Sequence, residues 1–200
     1  MGIDFVAIIP HRLDVAGLRA VLPEFDRLNH DIVAWWPSSL SGIRGRAWTF
    51  NPLLDAPWAI QAEDAEAEQL WMAGRGVWVC GSRESSFLFN RHALTVFGPG
   101  DRWRQFCEHA EHRRFVRRVF RAIARIFRAD RAVYVPDAYL RASEAMGMIH
   151  SGATVEEAQA WLVEHCGPPA ASAGEIVLRD DEQTGGTYFV DRFVDLTGEV

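Results

Sequence analysis

Residues 101–136, DRWRQFCEHAEHRRFVRRVFRAIARIFRADRAVYVP, decide the fold class. Val116, Val119, Phe120, Ile123 and Phe127 recur at helical spacing, and Arg114, Arg118, Arg121, Arg125 and Arg128 fall on the opposite side. An apolar stripe backed by a charged one is what a helix laid on a core requires. Asp101 suits the N-terminal cap, so the pattern predicts a helix from 101 to about 128. The polar knot HAEHRR, residues 109–114, predicts a break within it. Ala132–Val135, short and partly β-branched, then reads as a buried strand. A long helix feeding a buried strand implies a sheet with helices on it.

The same mixture continues on both sides. Ile3–Ile9 reads as a buried strand ended by Pro10. Asp14 can cap a helix carrying Val15, Leu18, Leu22, Phe25 and Leu28, with a kink or fresh start expected at Pro23. Asp31–Trp36 reads as a second strand, and the Ser-, Gly- and Pro-rich stretch 37–57 as the most loop-like segment. A helix is expected over Gln61–Ala73, then strands over Gly76–Cys80 and Phe87–Phe97 joined by the hairpin loop GSRESS. Helices follow near 138–150 and 155–166. Thr154 and Glu157 form a capping box for the second, and Gly167, Pro168 and Pro169 end it. A closing hairpin is expected from 175–178 and 187–195. The class is therefore α+β: one mixed sheet covered by helices, as one domain over 1–200, with a weak boundary at 98–100.

Composition excludes several classes of function. With 200 residues, 48% hydrophobic and 24% charged, the chain is an ordinary globular one and not a disordered, collagenous or coiled-coil protein. It holds no apolar run of membrane-spanning length. All 21 basic residues are arginine, which points to a GC-rich, bacterial genome. The net charge of −6 argues against binding nucleic acid over the whole surface. Cys80, Cys107 and Cys166 lie far apart and number three, so a reducing cytoplasm is expected and a disulfide framework is not. The N-terminus lacks the basic start of a secretory signal.

Charge is concentrated in one place. Residues 102–131 carry ten arginines against Glu108, Glu111 and Asp130, a net +7. Such a face either meets an anionic partner, is simply solvated, or pairs with the acidic helix at Glu63–Glu68. No aromatic residues interleave with it as a single-strand-binding surface needs, so a protein partner fits better than nucleic acid. Eight tryptophans, with Trp35, Trp36 and Trp48 near the loop-rich region, are candidate apolar anchors or core filler.

Chemistry has fewer candidates. His11 and Asp137 each follow a proline at a strand end, with Arg12 and Tyr139 beside them. If the two strands were parallel neighbours, these side chains would meet as an acid–base couple. Cys107, Glu108, His109 and His112 are ligand types without zinc spacing, since only His109 and His112 share a helix face. No GxSxG, GxxxxGK[ST] or GxGxxG occurs, and no cofactor or metal is implied.

The segment RAVYVPDAYLRASEAM and the capped helix ending in HCGPPA resemble stretches of small bacterial proteins, some encoded near polymorphic toxin or immunity genes. The likeness covers the C-terminal half and rests on structural turns, so it implies no functional residues. The expected role is a non-catalytic protein-binding module, such as a toxin-neutralising immunity or regulatory protein. Arg114, Arg118, Arg121 and Arg125 would supply charge, and Trp35, Trp36 and Trp48 the anchors. The alternative is a small hydrolase or transferase using His11 and Asp137.

Overall fold

A computed structural model of the chain describes residues 5–35, 59–60, 62–80, 86–97, 102–136, 141–172, 175–176 and 186–193. Seven strands form one sheet: β1 (Phe5–Pro10), β2 (Ala59–Ile60), β3 (Val77–Cys80), β4 (Ser86–Phe89), β5 (Ala93–Phe97), β6 (Arg131–Pro136) and β7 (Phe189–Arg192). Their order is β2-β3-β4-β5-β1-β6-β7, so β1 sits near the middle, between β5 and β6. Every described pairing is antiparallel. The fold is α+β as the patterning implies, but the sheet is not mixed. Because β1 pairs with β5 and β6, strands from both sides of residues 98–100 share it.

The α-helices among the described residues are α1 (Val15–Trp35), α2 (Asp64–Met72), α3 (Arg102–Glu108), α4 (Ala110–Ile126), α5 (Glu144–His150) and α6 (Val155–Cys166). Side-chain alternation along β1 splits the core in two. Ala7 and Ile9 face a large cluster with residues of α1–α4, and Val6 and Ile8 face a smaller one with α5 and α6. The sheet is thus the middle of three layers.

Local rules explain most elements. Asp14 Oδ1 accepts the Gly17 N–H at 2.7 Å, capping α1. Pro23 neither breaks nor restarts α1, which runs on through Asp31 to Trp35, so residues 31–35 of the expected strand are helical. Pro23 has no N–H to give the carbonyl four residues back. The packing of Val15, Leu18, Phe25 and Leu28 on the core outweighs that loss, since each such burial stabilises by about 1.5–3 kcal/mol. The break at HAEHRR is real: His109 is extended between α3 and α4. Arg113 donates to the carbonyls of Phe106 and Cys107 at 3.0 and 2.8 Å, serving orphan acceptors at the end of α3. The run 87–97 is two strands, turned where the Asn90 N–H donates to the Ala93 carbonyl at 2.9 Å. Glu175 and Ile176 make a helical turn on Ser172 where the first arm of a hairpin is expected, residues 177–185 lie outside the described residues, and β7 pairs with β6. No described helix is long and apolar enough to cross a membrane.

Candidate functional site

α4 presents the arginine face. Phe115, Val116, Val119, Phe120, Ile123 and Ala124 are buried beneath it. Arg114, Arg118 and Arg125 are exposed and Arg121 is half-buried. Arg114 lies 3.8 Å from Glu111 on the same helix, a weak exposed pair. Not every arginine of α4 belongs to this face. Arg117 forks onto Asp191 of β7 with bonds of 2.6 and 2.7 Å and lies over the Phe189 ring. Asp191 is only 3% exposed, so this pair pins α4 to the sheet edge. The i,i+4 spacing could not reveal it, because the partner lies on the last strand.

The arginine face leads into a cleft. It has a volume of about 1210 Å³ and lies at the end of the sheet where β1 finishes and β6 begins. Arg12, Arg125, Arg128 and Arg131 line it, with Glu24, Asp130 and Glu156. Arg131 is bound to Asp130 at 3.1 Å and to Glu156. The pair helps hold the Glu156 carboxyl below its usual range, after the backbone bond at the start of α6. Arg12 acts on the same carboxylate through space. Among the described residues, Arg125 and Arg128 make no ion pair or side-chain hydrogen bond.

Arg128 carries the clearest backbone signal. Its φ is 53°, and no other described residue except glycine has a positive φ. It closes α4 in the left-handed C-terminal motif: its N–H donates to Arg125 and that of Ala129 to Ala124. Glycine is usual at this position, and a side chain there costs about 1–2 kcal/mol. Strain of this kind is retained more often at functional than at neutral positions.

His11 also lines the cleft, but its ring turns into the core. It is 5% exposed and packs against Trp71, Phe89 and Phe127 at centroid distances of 6.0, 5.6 and 5.7 Å. Burial lowers its pKa to about 4, so it is neutral at pH 7. Nδ1 accepts the Leu13 N–H at 3.2 Å, which places the ring proton on Nε2. Nε2 is buried beside the backbone of Asn90 and Ala93, which opposes part of the fall in pKa. The Asn90 side chain is equally buried and lacks a partner among the described residues. Gly76 is needed beside it: a Cβ would come within 2.6 Å of Asn90 Oδ1.

The remaining expected site residues are placed unevenly. Asp137, Tyr139, Trp36 and Trp48 lie outside the described residues. Trp35 is the last residue of α1. The parallel pairing that would bring His11 to Asp137 is absent. β1 and β6 are antiparallel with Phe5 opposite Pro136, so the strand preceding Asp137 ends at the far end of β1 from His11. Cys107 and His112 are buried and His109 is exposed. Among the described residues no three His, Cys, Asp or Glu side chains are placed to share a metal ion. Arg131 and Glu156 are cleft residues that the sequence did not single out, and His92, weighed there only as a further metal ligand, lines the cleft with them. Only the strand register shows that their segments meet.

The chain was compared with protein-family models, with curated proteins and with solved structures, and none matches it.

Proposed function

We propose that this is a non-catalytic binding protein whose partner is an acidic protein surface. The observation that carries the reading is the outer face of α4, where Arg114, Arg118 and Arg125 stand exposed on a firmly packed helix. Arginine on a rigid element suits carboxylate recognition, because its fork pairs two oxygens and stays charged. An exposed stripe of one sign also steers an oppositely charged partner during approach. Toxin neutralisation or regulation inside a bacterial cell is a concrete form of this role.

The alternative, a hydrolase or transferase using His11 and Asp137, has less support. An imidazole sealed among three aromatic rings is out of reach of a substrate, and one with a pKa near 4 is a weak base at pH 7. The antiparallel pairing of β1 with β6 also works against their meeting.

The test is charge reversal. A variant with Arg114→Glu, Arg118→Glu and Arg125→Glu should associate with the partner at least about tenfold more slowly at low salt, and its rate should lose most of its salt dependence. Association as fast as that of the natural protein would exclude the α4 face.

A further inference from the structure

We infer that the cleft at the end of the sheet, which shares Arg125 with the α4 face, is a second site for a small phosphate-bearing molecule. It is a concave cleft of about 1210 Å³, unlike the convex outer face of α4. Three arginines line it from three backbone settings. Arg12 follows β1, Arg125 lies in the last turn of α4, and Arg128 occupies the left-handed turn beyond it. The Leu13 N–H bond to His11 Nδ1 fixes the turn that carries Arg12. Arg125 and Arg128 have no carboxylate or carbonyl bound to their side chains among the described residues.

The acids of the cleft do not cancel this charge. Arg12, Arg125, Arg128 and Arg131 face Glu24, Asp130 and Glu156, so the lining keeps a net charge of +1; Arg131 holds both Asp130 and Glu156 in place, and Arg12 acts on Glu156 only through space. Several cations with planar forks match the oxygens of a phosphate dianion better than a single carboxylate, which one fork satisfies. Leu13, Val21 and Ile126 add an apolar wall for the organic part of the ligand.

The probe is inorganic pyrophosphate, titrated into the isotope-labelled protein and followed by amide chemical shifts. Saturable changes confined to residues 11–13 and 125–131 are expected. Arg125→Gln and Arg128→Gly should each weaken binding about tenfold or more, as loss of a charge-assisted bond implies, and Arg114→Gln should not. Arg128→Gly separates binding from folding, because relief of the left-handed strain should raise Tm while affinity falls. Four results would overturn the site: no saturation, shifts spread evenly along α4, an equal response to citrate, or unchanged affinity in Arg128→Gly.

Discussion

At the residue scale, two buried groups make opposite demands on the solvent. His11 is neutral in the fold, with His92 the nearby ring that further disfavours its charge. In the unfolded chain it gains a proton near its ordinary pKa of about 6.5. The unfolded state therefore binds more protons between about pH 6.5 and 4, and stability falls as pH drops through that window. The loss is at most about 3 kcal/mol. His150, half-buried with a lowered pKa, adds to it in the same direction. Urea midpoints measured from pH 7 to 4 should fall less steeply for His11→Gln than for the natural protein, and equal slopes would show that His11 does not titrate this way. Asp191 makes the other demand, for a permanent cation. Arg117→Met should cost about 2–4 kcal/mol of unfolding free energy, toward the low end because Arg117 is half exposed. A change below about 0.5 kcal/mol would mean that water serves Asp191 instead. Neither role was legible in the sequence. His11 stood out as a strand-end residue, but Trp71, Phe89 and Phe127, which enclose it, come from three other parts of the chain.

At the scale of elements, legibility followed how local the controlling interaction was. α6 was readable in full because its signals are its own: Thr154 Oγ1 accepts the Glu157 N–H at 3.2 Å, Glu157 returns the bond to the Thr154 N–H at 2.8 Å, and Gly167 has φ 82°. Thr154→Ala should destabilise the protein by about 1 kcal/mol, read as a lowered urea midpoint with an unchanged slope. A neutral result would make the cap dispensable in this packed setting. The break at His109 was readable for the same reason, since it follows from a run of polar residues. α1 was not. The local signal at Pro23 favours a break, and burial of Phe25 and Leu28 beyond it overrides that signal. The strand expected at 31–36 failed with it over residues 31–35, because a short apolar run is equally suited to a helix.

At the scale of the whole molecule, the α+β class was visible but the sheet direction was not. Parallel and antiparallel partners of β1 read alike when β1 is apolar on both faces. That one unknown governed the chemistry, because antiparallel pairing brings Arg131 to the His11 end of β1 and sends Pro136 to the other. The cleft follows from it, and so does its meeting with the last turn of α4. The charge imbalance was legible from the outset: a chain of net charge −6 that gathers ten arginines in residues 102–131 has built a cationic face. The measurement that tests its purpose most directly is affinity purification of the tagged protein from its native host at low and high salt, beside the Arg114→Glu, Arg118→Glu, Arg125→Glu variant. The account predicts one acidic protein recovered in near-equal amount with the natural chain at low salt, released at high salt and absent with the variant. Nucleic acid in its place, or the same protein held equally by the variant, would contradict it.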